Sequence, residues 1–316
     1  MKRVFWLLLL VSCSSGPEPD VNSSHPYGRY LGALELGKSS GAESVRKLIH
    51  LLEDPDYLAR SGAVVALGQK GDPEFSQHLI PMLSSEKEPS GLVRSDVCIS
   101  LGLLGGADVV DPLLDTLKSD EDPVVRREAA RALSAYKREP RVVLGLLRAL
   151  VDSDASVAWR AEVSLGLKGT LSEEALRFIF SGRESEEERV RAGVAEAIAL
   201  TGQAVLAERL LPIEDPSSSV RSRICRSLGR LRNPATQEAL LETLRRDKEA
   251  PVRAAAARGL SHFERTPSLL EGLLDALEDS SPLVRAQAHQ ALILLTGAMD
   301  MERNRDAWSK YLKEKS

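Results

Sequence analysis

The sequence predicts an all-α protein, specifically an α-solenoid in which pairs of helices stack into a superhelix. One template recurs eight times at spacings of 30 to 34 residues, starting at Ala59, Val93, Val125, Val157, Val190, Val220, Val252 and Val284. Apolar or small residues fill its offsets 0, 4, 7 and 8, which share one face of an α-helix. A second apolar pattern precedes each copy, as in residues 45–52 and 269–277. Each repeat is therefore predicted to be a helix pair that buries its apolar face only by stacking.

Composition argues against several classes of function. Hydrophobic residues make up 43% and charged residues 28% of the 316 residues, so the chain can build a core. The formal charge of −4 disfavours a dedicated nucleic-acid binder, which needs a basic field, and the 4% aromatic content disfavours a base-stacking surface. Three cysteines cannot form a disulfide framework. No apolar run approaches the ~20 residues of a membrane-spanning helix.

The first residues predict export. Lys2 and Arg3 precede an apolar stretch over residues 4–11, and Cys13 follows it after Ser12. Residues 10–13 resemble the lipobox of bacterial lipoproteins, and this resemblance implies a signal peptide over 1–12, acylation of Cys13 and, because Ser14 is not aspartate, an outer-membrane anchor facing the periplasm. The alternative is an ordinary signal peptide that ends in a chance cysteine. Residues 13–26 are rich in Ser and Pro and predict a flexible tether.

The repeats over residues 42–296 resemble a known family. Residues 125–133, 252–260 and 284–292 carry the template most clearly, and they resemble HEAT repeats, especially the short bacterial form related to phycobilisome lyases. Residues 27–41 are interpreted as an N-terminal capping half-repeat, because Gly28-Arg29 mirrors Ala59-Arg60. A C-terminal helix within 297–316, with Trp308 on its apolar face, is predicted to close the last repeat.

Acidic residues and arginines recur in register. Arginine occupies offset 1 in seven of the eight copies, and an acidic residue stands six positions earlier in most of them; the fourth copy has Ala158 instead. The resemblance to HEAT proteins implies a ladder along the turns, in which the carboxylate caps the second helix and the arginine reaches the next repeat's carboxylate. The ladder residues are Asp54, Arg60, Asp120, Arg126, Asp215, Arg221, Asp247, Arg253, Asp279 and Arg285.

Searches for catalytic motifs find one match. Residues 32–39 fit the P-loop expression, but no apolar strand precedes them and they fit the helical register instead. None of the five histidines is followed by Glu, and neither HExxH nor CxxC occurs, so no metal site and no cofactor are predicted. Cys98 and Cys225 lie four repeats apart and are expected to be free thiols inside the stack.

A partner-binding surface is predicted on the second helices, which line the concave face in HEAT proteins. The residues that point away from the core there include Trp159, Arg160, Arg131, Arg223, Arg226, Arg230 and Arg258. Trp and Arg are enriched at binding hot spots, and clustered arginines suit an acidic partner. The alternative is that these side chains form a solvated face.

The function predicted from the sequence is a non-catalytic, lipid-anchored scaffold that binds another protein in the bacterial cell envelope. Two alternatives come from the HEAT resemblance. One is an accessory or lyase-like protein that handles bilins, which visible absorption would reveal. The other is a DNA-repair protein like the HEAT-type alkylpurine glycosylases, which export and net acidity disfavour.

Overall fold

The computed structural model describes residues 18–167 and 171–315, so the predicted signal peptide and Cys13 lie outside the described residues. Those two ranges contain helices and turns without a strand, and the predicted all-α fold class is confirmed. The chain divides into two compact units, one ending at Lys137 and the other beginning at Arg138. This boundary falls between the third and fourth predicted repeats.

The helices of the first unit are α1 (Pro26–Lys38), α2 (Ala42–Leu51), α3 (Tyr57–Lys70), α4 (Ser76–Leu79), α5 (Gly91–Leu104), α6 (Val110–Ser119) and α7 (Pro123–Ala132). Those of the second unit are α8 (Pro140–Ala149), α9 (Ala155–Leu165), α10 (Glu173–Ser181), α11 (Glu188–Thr201), α12 (Ser218–Leu231), α13 (Gln237–Arg246), α14 (Ala250–Leu260), α15 (Pro267–Ala276), α16 (Pro282–Thr296) and α17 (Arg305–Lys315).

The second helices of the repeats pack closely on one another within each unit: α1, α3, α5 and α7 in the first, and α12, α14 and α16 in the second. Small residues permit this approach. A Cβ on Gly229 of α12 would lie 2.6 Å from the Cα of Gly259 on α14. The apolar residues at offset 8, such as Leu67, Leu101 and Leu228, are fully buried between the helices.

Two repeats lack a regular first helix, which corrects the expectation of a helix pair in every repeat. In the second repeat, 3-10 turns at Pro73–Phe75 and Ile80–Leu83 flank the single turn of α4. Pro81 supplies no N–H donor, so an α-helix cannot continue through it. In the sixth repeat, a 3-10 segment over Ala204–Leu210 takes the place of the first helix.

The fifth repeat is stacked differently from the others. Helix α11 packs on α8, the first helix of the fourth repeat, and a Cβ on Gly193 would overlap the carbonyl oxygen of Leu147. Helix α9 ends at Leu165, because Gly166 adopts a left-handed conformation with φ of 67° and closes the helix. Leu165 is consequently half-buried rather than part of the core, unlike Ile198 at the same offset of α11.

The N-terminal segment packs against α1. The N–H of Asp20 donates to the carbonyl of Gly28 at 3.1 Å, and Arg29 donates to the carbonyl of Ser23 at 2.9 Å. The predicted tether over 13–26 therefore does not extend through its described part, since Asp20, Ser23 and Ser24 are bonded to the helix. Of residues 32–39, which matched the P-loop expression, 32–38 form the second half of α1 and Ser39 is its C-cap.

The C-terminal helix α17 packs on α15. Arg305 at its start donates to Glu278 at 2.9 Å and to Glu271 at 3.2 Å, both on the surface of the last repeat. Trp308 is fully buried and meets the rings of His289 and Tyr311 edge to face, each with a centroid separation of 5.8 Å. This helix covers the end of the second unit.

Candidate functional site

Each rung of the ladder is an arginine that joins two consecutive turns. The Nη1 of Arg60 donates to the carbonyls of Asp54 and Pro55 at 2.8 and 3.1 Å, while its Nε and Nη2 donate to the carboxylate of Glu88 at 2.6 and 2.8 Å. Further bidentate rungs with this geometry include Arg29–Asp54, Arg94–Asp120, Arg191–Asp215, Arg221–Asp247 and Arg253–Asp279. Such paired charge-assisted bonds are strong and geometrically specific.

Arg126 and Arg285 make the same bonds to their own turns. Arg126 donates to the carbonyl of Asp120 at 2.8 Å, and Arg285 donates to that of Asp279 at 2.7 Å. The ladder carboxylates were predicted to cap the second helices, but they bond within the turn instead. The Oδ1 of Asp54 accepts the N–H of Asp56, and Asp56 in turn caps α3 through the N–H of Leu58. The capping residue therefore lies two positions after the ladder carboxylate.

The rung between the fourth and fifth repeats lacks both its arginine and its carboxylate. Ala158 stands where the fourth repeat would supply its arginine, and Ser185 stands where the fifth would supply the carboxylate. This is also the junction at which α11 packs on α8 instead of α9. The loss of the paired side chains and the change of packing coincide.

The ladder couples stability to pH. The hydrogen bond from Arg253 lowers the pKa of Asp279, against the opposing effect of burial. Because the folded-state pKa is below the unfolded value of about 3.9, this rung stabilises the fold above that pH. Its contribution is lost as the pH falls through the lower folded-state pKa.

The predicted partner surface begins on α9 with Trp159, Arg160 and Val163, which we call the α9 patch. Trp159 is 53% exposed and Val163 is 45% exposed. The guanidinium of Arg160 lies over the Trp159 ring, with its Cζ 4.7 Å from the ring centroid. The Nε of Arg160 is buried and has no hydrogen-bond partner among the described residues. The patch thus combines an accessible aromatic side chain with a guanidinium group that has an unsatisfied N–H donor.

Three of the predicted binding arginines are already paired. Arg131 donates to Glu128 at 2.6 Å in the first unit. In the second unit, Arg223 and Arg230 both donate to Glu196 of α11, at 3.1 and 2.6 Å. The predicted cluster is therefore smaller than expected, because Glu196 neutralises part of its charge.

Arg226 and Arg258 remain, and they line one groove. It is an open cavity of about 340 Å³ between α12, α14 and α16, which we call the α12–α16 groove. Its lining residues are Ser219, Ser222, Arg226, Pro251, Ala254, Ala255, Arg258, Leu283 and Gln287. Burial lowers the pKa of Arg226, and the neighbouring charges of Arg223 and Arg258 lower it further, against the opposing charge of Glu196.

A polar pair on the second helices of the first unit was absent from the predicted sites. The hydroxyl of Ser61 donates to the carboxylate of Asp96 at 2.6 Å. Burial raises the pKa of Asp96 despite this bond, and the charge of Glu128 adds to the shift. No sequence signal distinguishes Asp96, since a single acidic residue at a helix offset is ordinary.

The two described cysteines are free and buried, inside α5 and α12. Burial raises the pKa of the Cys225 thiol to about 12 and that of Cys98 as well, so neither is a reactive thiolate. Within residues 18–167 and 171–315, histidine, cysteine, aspartate and glutamate form no group of three placed to hold a metal ion. In the same residues, every helix is too short or too polar to span a bilayer.

Comparison with known proteins identifies the repeats. The family model of HEAT repeats matches residues 21–90, 85–166 and 204–293. A search of curated proteins gave no match.

Among solved structures, the chain resembles a mutant of Kap121p at 16% identity and a TM-score of 0.59, covering 96% of this chain and 39% of that one. The karyopherin Kap121p bound to the SUMO protease Ulp1p matches at 17% identity and 0.59, over 93% of this chain and 38% of that one. Kap121p bound to the extreme C-terminus of the protein phosphatase Cdc14p matches at 18% and 0.53, over 87% and 37%. The chain thus spans about two fifths of these relatives, which share its α-solenoid fold.

Proposed function

The chain belongs to the HEAT-repeat family, and on that premise we propose that it is a non-catalytic scaffold that binds another protein through its second helices. The α9 patch is the observation that carries this proposal. An exposed tryptophan beside an arginine with an unsatisfied buried donor has the composition of an interface hot spot. The karyopherin structures with bound Ulp1p and Cdc14p are in keeping with protein binding by this fold.

We place this scaffold in the bacterial cell envelope, anchored by a lipid on Cys13 and facing the periplasm from the outer membrane. The support is the basic pair at residues 2–3, the apolar stretch over 4–11 and the cysteine at position 13, one serine after that stretch. A thioether-linked lipid would hold the chain at the membrane, and a tether before Asp20 would set the repeats away from it.

Cys13→Ala is expected to abolish lipid labelling, because the thiol is the acceptor. The measurement is incorporation of radiolabelled or alkyne-tagged palmitate, together with fractionation of the envelope. The unprocessed chain should accumulate, or the mature chain should leave the membrane fraction. Cys98→Ala, which changes a buried thiol, is the matched control and should label normally. Continued labelling of Cys13→Ala would refute the lipid anchor.

Trp159→Ala is expected to weaken partner binding at least thirtyfold without changing helix content. Truncating an anchor at an interface centre costs about 2 kcal/mol or more, which corresponds to that factor. Partners are captured by cross-linking in the envelope and identified by mass spectrometry, and the dissociation constant of the most enriched one is then measured with purified proteins.

Leu103→Ala is the matched control, since Leu103 is 62% exposed on α5 of the other unit. It should leave affinity unchanged. Ile198→Ala provides the reference for a core deletion, because Ile198 is fully buried. If Trp159→Ala destabilises the fold as much as Ile198→Ala does, Trp159 is a structural residue and the α9 patch is not the binding surface.

A further inference from the structure

The α12–α16 groove presents two like charges from equivalent positions. Arg226 and Arg258 both stand at offset 6 of their second helices, on α12 and α14. The hydroxyl-bearing Ser219 and Ser222 and the amide of Gln287 complete the polar lining. Consecutive repeats therefore direct two guanidinium groups to the same cavity.

The lining contains no carboxylate. Among the described residues, the Nε of Arg226 donates to the carbonyl of Ser222 in its own helix, at 3.3 Å. Neither guanidinium has an ion pair among the described residues, in contrast to Arg223 and Arg230 one turn away on α12. Glu196, which pairs with Arg223 and Arg230, also attracts Arg226 electrostatically, but it forms no ion pair with either groove guanidinium in the described residues. Two cations without an ion pair at one cavity favour an anionic ligand, whose carboxylate would make the charge-assisted bonds that both lack.

The rest of the groove is apolar. Leu283 at the start of α16 is 48% exposed, and Ala254 and Ala255 are almost fully buried beneath the cavity. Pro251 adds a rigid apolar ring. A ligand that fits this lining has an anionic group for the arginines and an aliphatic side chain beside it. A cavity of about 340 Å³ has room for only a few side chains.

We propose that the α12–α16 groove binds an acidic segment of a partner protein, with an Asp or Glu carboxylate between Arg226 and Arg258 and a neighbouring aliphatic side chain against Leu283. This inference rests on the proposed scaffold function and names the partner chemistry at a second site. A nucleic acid is a poorer ligand, because its binding needs many phosphate contacts and the chain has a net charge of −4.

The test uses the full-length protein in detergent and a fluorescent peptide of alternating Glu and Leu residues as the probe. Binding is measured by anisotropy at several salt concentrations. The wild type should bind, with affinity that falls as salt rises. The same peptide with Gln in place of Glu should bind at least tenfold more weakly, because the charge-assisted bonds are lost.

The double variant Arg226→Glu/Arg258→Glu should lose at least tenfold in affinity for the Glu–Leu peptide. Arg226→Gln/Arg258→Gln should show a smaller loss, since it removes the charges without adding repulsion. The matched control is Arg245→Glu/Arg246→Glu, which makes the same net change on α13, where both arginines pair with glutamates of their own helix. It should bind like the wild type. Circular dichroism verifies that all variants keep their helix content.

Equal binding of the Glu–Leu peptide by the wild type and the charge-reversed groove variant would overturn the proposal. Vesicles containing phosphatidylglycerol and inorganic phosphate are measured in parallel. If vesicle or phosphate binding requires Arg226 and Arg258 while the peptide does not bind, the groove binds a phosphate group and the proposal is wrong. If the peptide fails but Trp159→Ala still abolishes partner capture, the groove inference falls and the scaffold function stands. Peptide binding without any partner sensitive to Trp159 contradicts the α9 patch alone.

Discussion

Arg94→Ala is expected to lower the free energy of unfolding by about 3–5 kcal/mol, the range for breaking a buried ion pair. The side chain of Arg94 is 1% exposed and that of its partner Asp120 is 5% exposed, which makes this the most buried of the six bidentate rungs named above. The substitution strands the Asp120 carboxylate and also leaves the carbonyls of Glu88 and Pro89 without their donor. Urea unfolding followed by circular dichroism measures the loss, and hydrogen exchange should show α5 and α7 opening first.

Arg46→Ala is the control for this experiment. Arg46 is 74% exposed and bonds Glu43 within one helix, so its removal should cost less than about 0.5 kcal/mol. In Arg94→Ala/Asp120→Ala, the carboxylate is no longer stranded, so the double variant should lose less stability than the sum of the two single losses. If Arg94→Ala lowers the free energy of unfolding no more than Arg46→Ala does, the ladder is a consequence of the repeat geometry and does not stabilise the fold.

The regular repeats of this fold can be predicted from the sequence because the interactions that form them lie within a turn or a single helix. The bond from Arg60 to the carbonyl of Asp54 spans six residues, and the apolar offsets lie within one helix. Even the missing rung is visible, since Ala158 and Ser185 lack the two groups that would meet. Arg29, which extends the ladder to α1, stands in the register that marked the N-terminal half-repeat.

The irregular part depends on contacts that the template does not encode. Leu165 and Gly166 have the residue types that stack in other repeats, but Gly166 ends the helix and α11 packs on α8. The predicted binding surface differs from the observed one for the same reason. Glu196 pairs with Arg223 and Arg230, which lie 27 and 34 residues away, and no spacing rule predicts which arginines it takes. Arg226 and Arg258 are among the arginines predicted to point away from the core, but their place in one groove follows only from the three-dimensional arrangement.

Burying Trp308 has a favourable and an unfavourable effect on stability. The ring is fully buried between α17 and His289 of α16, so its apolar surface stabilises the end of the stack. Its Nε1–H, however, has no acceptor among the described residues. A buried donor without a partner is costly, typically by about 1–3 kcal/mol. The net contribution of Trp308 is therefore the burial of its rings minus the cost of this group.

Trp308→Ala is expected to cost about 3–5 kcal/mol, because it removes a large buried aromatic side chain from the cap of the second unit. Trp308→Phe should cost less than about 1.5 kcal/mol, since it keeps an aromatic ring and removes the unsatisfied N–H. Urea unfolding and hydrogen exchange of α16 measure both variants. Terminal caps cover the apolar face of the last repeat, so the alanine variant should expose α16 to exchange before α12 or α14. If the phenylalanine variant loses as much as the alanine variant, the indole N–H has a partner in solution and this account of Trp308 is wrong.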